Sequence, residues 1–219
     1  MPRPSRKAFS TNRCPDMQAS HAPVVDLDLR SFAKNDTAIL GSIKITLSPA
    51  ETLALVGPSG IGKTSLLRII AGIETGFEGD RRVHGKIAMV FQEPTLLPWR
   101  CLRDNITIPT GVDAKTAEDA LTEVGLAGRG SDFPAQLSLG QQRRLSLARA
   151  FAVKPTLLLL DEPFVSLDPA LADEMILLFR RLREAHQVAS IFVTHVVDEA
   201  EKMASRTIRL AGSPARLVL

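Results

Sequence analysis

The run Gly57-Pro58-Ser59-Gly60-Ile61-Gly62-Lys63-Thr64 fits G-x-x-x-x-G-K-[ST], a pattern that cradles phosphate groups where a strand passes into a helix. Glycines let such a loop turn tightly and aim its N–H groups inward, and the helix N-terminus adds a positive dipole end. Lys63 supplies a cation for the β- and γ-phosphates, and Thr64 offers a hydroxyl to Mg2+. Farther along, Asp161 and Glu162 close the apolar run "TLLLLDEP". Charges at the end of a buried strand are costly unless they face a ligand or a metal. Asp161 suits a Mg2+ site, often through water, and Glu162 can polarise an attacking water as general base. Ser138 and Gln141, in "QLSLGQQRRLSLARA", have the spacing of a capping box at the start of a helix.

The elements that must position these groups are legible in the apolar pattern. "ETLALVGPSGIGKTSLLRIIAGI" reads as a short buried strand over 52–56, a tight loop, then a helix carrying Leu66, Leu67, Ile69, Ile70 and Ile73. The runs at 86–91, 156–161 and 190–194 are short, nearly continuous and rich in Leu or β-branched residues, as parallel strands covered on both faces are. Residues 113–127 and 141–153 read as helices, and a long amphipathic helix begins near Asp168, where Pro169 suits a first helical position. Strand and helix alternation of this kind means an α/β fold with a mostly parallel sheet. The block from about 93 to 153 contains no strong strand and reads as an inserted helical subdomain, and a last strand at "TIRLAG" would close the core.

The 219 residues suit one domain, with 45% hydrophobic and 23% charged residues. The net charge is +3, yet residues 1–23 alone hold Arg3, Arg6, Lys7 and Arg13 against Asp16. The rest is neutral, which argues against nucleic acid as a partner. That first segment, rich in Pro, Ser and Arg, reads as a disordered basic tail without a hydrophobic stretch for secretion. Cys14 and Cys101 make no disulfide framework, so a reducing cytoplasm fits. Apolar runs fall far short of a bilayer span, so a membrane role must come through partners.

Taken in order, these motifs resemble the nucleotide-binding subunit of an ABC transporter over residues 24 to about 212. "MVFQEPTLLPWRCLRDNI" is similar to that family's Q-loop, with Gln92 ending a strand; "LSLGQ" stands in the place of its LSGGQ signature. "DEPFVSLD" carries the D-loop residue Asp168, and "FVTHVVDEA" carries the switch histidine His195. The resemblance implies a P-loop NTPase core at about 24–92 and 154–219, an antiparallel β region near the N-terminus and a helical subdomain at about 93–153. It implies ATP and Mg2+ as ligands and a head-to-tail homodimer holding two ATP molecules between the phosphate loop of one chain and the signature of the other. Gly57, Ser59, Gly60, Gly62, Lys63, Thr64 and Ser65 would then bind nucleotide, joined across the interface by Ser138, Gly140 and Asp168. Glu162, His195 and Gln92 would be catalytic, and Thr64, Gln92 and Asp161 would face the metal. Phe32 stands at about the position of the aromatic ring that stacks on adenine.

Three residues depart from the family pattern: Leu139 replaces the first glycine of the signature pair, Val165 stands where serine is common, and Val196 follows His195 where aspartate is common. None removes a catalytic group. "FQEPTLLPW" most resembles the ATPases of nitrate, sulfonate and taurine importers, which implies transmembrane permease subunits, indirectly a substrate-binding protein, and a place on the inner face of the cell membrane. Two other readings remain open at this point: a regulatory ATP-binding subunit with little turnover, which Leu139 favours and Glu162 opposes, and a non-transport ABC ATPase. DNA-repair members of the latter kind need a long coiled-coil insertion, and residues 65–160 leave no room for one.

Overall fold

The computed structural model describes residues 22–218. Along that chain run β1 (Val25–Lys34), β2 (Thr37–Leu40), β3 (Ile43–Leu47), β4 (Thr52–Val56), α1 (Lys63–Ala71), β5 (Phe77–Val83) and β6 (Ile87–Val90). There follow α2 (Leu102–Thr110), α3 (Ala114–Glu123), α4 (Leu139–Ala152), β7 (Leu157–Asp161), α5 (Pro169–His186), β8 (Ala189–Thr194), α6 (Val197–Met203), β9 (Arg206–Ala211) and β10 (Arg216–Val218). Of the expected basic tail at 1–23, all but Ala22 and Pro23 lies outside the described residues.

Six strands form the central sheet in the order β10-β9-β4-β8-β7-β6, parallel throughout except for β10. Its strands are apolar along their length because both faces are covered. Ala54, Leu158, Leu160 and Phe192 point into a core shared with α2 to α6, while Leu53, Leu55, Leu157, Leu159, Ile191 and Val193 point into another shared with α1 and the N-terminal strands. Those strands make a second, antiparallel sheet, in which β1 pairs with β3, β5 and β2. Its period-two pattern is single-faced: Val25, Leu27 and Leu29 are buried, whereas Asp26, Asp28 and Arg30 point outward. The expected α/β fold with a mostly parallel sheet and an antiparallel N-terminal region is therefore what the chain adopts.

Between β6 and β7 there are only helices: α2, α3, a short 3-10 turn at Pro134–Gln136, and α4. Helix α2 has no clear apolar period in the sequence, and tertiary hydrogen bonds fix it instead. Asn105 is fully buried; its side chain accepts from Leu97 N–H at 2.7 Å and donates to the carbonyls of Leu97, Arg100 and Cys101. Those bonds also set the preceding loop, on which Trp99 stands 71% exposed and so is no core residue.

One expectation is corrected by the packing of the antiparallel sheet. Phe32 is 2% exposed, lies opposite Leu40 and Phe77, and belongs to the core beneath α1. A ring so enclosed has no face for an adenine base. A register shift between Leu29 and Ser31 breaks the alternation of β1 just before it and turns Phe32 inward.

Candidate nucleotide site

Parallel strands bring their carboxyl ends to one edge of the sheet, the usual ligand side of an open α/β sheet. Val56 is level with Thr194, and Asp161 with Val193, so the loops after β4, β7 and β8 open together. The loop after β4 ends in α1, whose first N–H groups have no partners within the helix. Gly62, the N-cap, takes φ 105°, and a Cβ there would come within 2.7 Å of Leu40 and 2.9 Å of Ile39. Only glycine satisfies both demands. A cavity of about 400 Å3 lies against this loop, lined by Ser59, Gly60, Gly62, Lys63, Thr64, Ser65, Gln92 and Glu162.

Lys63 is buried, with Nζ donating to the carbonyls of Gly57 at 2.8 Å and Pro58 at 3.0 Å, and 3.6 Å from Glu162 Oε1. The other carboxylate oxygen of Glu162 is 3.4 Å from His195 Nδ1. Cation, carboxylate and imidazole thus form a continuous line from the phosphate loop to the end of β8. Glu162 itself has φ 44°, a conformation that costs a non-glycine residue roughly 1 kcal/mol or more and persists only where the surroundings enforce it. Here its N–H donates to Val193 O at 3.1 Å and its carbonyl accepts from Val165 N–H at 3.3 Å.

Beside it Asp161, 6% exposed, accepts from Thr64 Oγ1 at 2.9 Å. Burial pushes the Asp161 carboxyl above its ordinary value, the Thr64 hydrogen bond opposes that shift, and the neighbouring Glu162 charge adds to it. Among the described residues no three His, Cys, Asp or Glu side chains gather into a metal group of their own.

The turn carrying His195 is set by groups that the sequence pattern does not single out. Thr194 is buried, donates its hydroxyl to Glu199 and accepts from Val196 N–H at 3.0 Å. Burial raises the Glu199 carboxyl as well. His195, Val196 and Glu199 line a second cavity of about 410 Å3 beyond Glu162, with Val165 on its wall.

Ser138 and Gly140 lie elsewhere. They line a separate concavity with Gln141, Arg144, Leu171 and Glu174, and none of the phosphate-loop residues borders it. The capping box is present in full: Ser138 Oγ accepts from Gln141 N–H at 3.3 Å, and Gln141 Oε1 accepts from Ser138 N–H at 3.1 Å. Gly140 is buried against α5, where a Cβ would sit 2.8 Å from Leu171 Cδ1. Leu139, at the first helical position, is 45% exposed and has no positive φ, so the leucine is accommodated without backbone strain. Asp168 caps α5, accepting from Leu171 N–H at 3.0 Å. One chain therefore brings together the phosphate loop, Gln92, Asp161, Glu162 and His195, and leaves Ser138 and Gly140 at the start of α4 apart from them, with Asp168 exposed at the start of α5.

A glycine-rich loop feeding a helix, with a buried cation and a carboxylate pair across from it on a parallel sheet, is the architecture of a P-loop nucleoside triphosphatase. A family model described as ABC transporter matches residues 40–165. An aliphatic sulfonates import ATP-binding protein of Granulibacter bethesdensis is 43% identical over 195 residues, which span 87% of this chain and 81% of that protein. A second protein of that description, from Pseudomonas syringae pv. tomato, is 38% identical over 88% of this chain and 84% of its own. Among solved structures, an inward-facing transporter assigned to the metal-chelate ABC type superposes with a TM-score of 0.78 at 24% identity, covering 85% of this chain and 79% of that one. The chain belongs to the ABC transporter family as an ATP-binding subunit, and its reaction is ATP hydrolysis. No helix among the described residues is long and apolar enough to cross a membrane.

Proposed function

We propose that this chain is the ATPase of an importer for a small anion, of aliphatic sulfonate type, and that it works as a head-to-tail homodimer beneath permease subunits on the inner face of the cell membrane. A substrate-binding protein would deliver the cargo. In this reading residues 24–92 and 154–219 are the catalytic core and 93–153 the helical subdomain that meets the permease, with exposed Trp99 on the meeting surface.

The observation that carries the reading is the line Lys63, Glu162, His195 at the mouth of the phosphate loop. ATP phosphates would take the free N–H groups at the start of α1, with Gly57, Ser59, Gly60, Gly62 and Ser65 shaping the cradle. Lys63 would exchange its loop carbonyls for phosphate oxygens. Glu162 is the group in reach of an attacking water, since it lines the cavity of the phosphate loop, with Lys63 beside one carboxylate oxygen and His195 beside the other. His195 would contact the γ-phosphate.

Thr64 and Asp161 fit Mg2+: their oxygens stand 2.9 Å apart, and among the described residues the buried Asp161 carboxylate has no ion-pair partner, with Arg68 and Lys63 acting on it only from farther off. Magnesium is ordinarily held by one or two protein oxygens together with substrate phosphates, so the lack of a larger acidic group is no obstacle. When bound, the ion would neutralise charge on the phosphates; Gln92 faces the same cavity.

The separation of Ser138 and Gly140 from the phosphate loop supports their use across a dimer interface, where the N-terminus of α4 would meet a partner's γ-phosphate. Asp168, exposed at the start of α5, would take part from the same chain. Uptake of a labelled alkanesulfonate by cells carrying the chain, compared with cells carrying Lys63→Ala, tests the proposal. Uptake should be lost in the variant; equal uptake in both refutes it.

A further inference from the structure

Helix α4, capped by Ser138, presents a line of hydrogen-bond donors at three-residue spacing, and the line lies along the loop that follows Gln92. Ser146 Oγ donates to Pro94 O at 3.0 Å; Arg149 donates to Pro94 O at 2.9 Å and to Thr95 O at 3.0 Å. Arg143 heads the line and differs from the others in reaching a second loop. Its Nη1 donates to Gln92 O and to Pro163 O at 3.2 Å, and its Nη2 to Val165 O at 3.1 Å. The guanidinium is buried, 5% exposed, and its Nε has no partner.

A buried cation without a bonded carboxylate is expensive, and an apolar side chain of similar size would suit a core helix better. Arginine has one property to offset this, a rigid planar fork that can hold several acceptors in fixed directions at once. The acceptors here are main-chain carbonyls of the two loops that flank the catalytic cavity. Both loops carry non-glycine residues at positive φ: Thr95 at 45° in one, Glu162 at 44° and Ser166 at 64° in the other. Such conformations need external bonds to persist.

We propose that Arg143 is a positioning residue for ATP hydrolysis, tying the start of the signature helix to the Gln92 loop and to the loop between Glu162 and Asp168, so that the three move as one unit. Gly140 is one helical turn upstream of Arg143, so displacement of either loop is transmitted to the segment that meets the partner chain. This inference rests on the ATPase reading above.

Arg143→Met keeps the length of the side chain and removes the fork; Arg143→Lys keeps the charge without the planar geometry. For Arg143→Met, kcat for ATP should fall by about tenfold or more while ATP affinity, read by fluorescence titration, stays within about twofold. In the nucleotide-free variant, amide hydrogen exchange should quicken in residues 92–96 and 163–168 and stay unchanged in α2 and α3. Arg143→Lys should lie between Met and wild type, and it provides the same readouts if the Met variant does not fold. Wild-type kcat in either variant overturns the proposal, as does a parallel loss of affinity and kcat with faster exchange throughout α2 to α4. Should the wild-type chain itself show no turnover, the ATPase reading fails, and the exchange pattern of the two loops still decides whether Arg143 holds them.

Discussion

Asp161→Asn is expected to make the nucleotide-free protein more stable at neutral pH while abolishing its magnesium-dependent ATPase activity. Asp161 is nearly sealed at the end of β7, with Thr64 Oγ1 as its one side-chain donor. Burial raises its carboxyl above the ordinary value, the Glu162 charge adds to the shift, and Thr64, Arg68 and Lys63 oppose it. Between the ordinary and the raised value the native protein keeps a proton that the unfolded chain has released. The native state then binds more protons, so stability falls as pH rises through that window, and the ionised carboxylate weighs against folding at neutral pH. Asparagine retains an oxygen for the Thr64 hydroxyl and removes the charge. A gain of about 1 kcal/mol is the expected scale, that of an ordinary single substitution relieving an unpaired buried charge. For a chain of this length it raises Tm by about 2–4 °C. Scanning calorimetry in metal-free buffer would read the difference, which should shrink when both proteins are measured in the ordinary carboxylate range. An equal or lower Tm for the variant at neutral pH refutes the view of Asp161 as a strained carboxylate waiting for a cation.

Two further substitutions test the packing around the site. Phe32→Leu should leave ATP affinity unchanged and lower stability by about 1 kcal/mol, because the ring fills core and faces no base; a large loss of affinity at intact stability contradicts that placement. Gly140→Ala should change stability by no more than about 1 kcal/mol in denaturant unfolding, because the atoms it would meet are the far end of the Leu171 side chain, which can turn aside, and alanine suits the helix better; a loss of several kcal/mol would mean that Leu171 is held rigidly.

The strands that carry the site were legible because a buried parallel strand leaves an unbroken apolar run. β7 and β8 fall within one residue of where "TLLLLD" and "SIFVT" place them. The phosphate loop was legible because its spacing admits few other uses. Phe32 was not: its distance along the chain suits a ring near the base, but which side of β1 it faces depends on the register shift between Leu29 and Ser31 that precedes it. Helix α2 escaped detection because Asn105, with bonds to a preceding loop, fixes it rather than an apolar stripe. Arg143 and Thr194 were hidden for a related reason. Arg143 meets main-chain carbonyls of two other loops, and Thr194 a carboxylate within α6, and no motif spacing singles out either contact.

In the proposed dimer a catalytic carboxylate and a phosphate loop in one chain act with the signature of another. Glu162→Gln tests it most directly, by following ATP turnover and sedimentation together with and without ATP. The variant should bind ATP, lose most hydrolysis and accumulate as an ATP-dependent dimer. Undiminished turnover, or a variant that stays monomeric at saturating ATP, would contradict it.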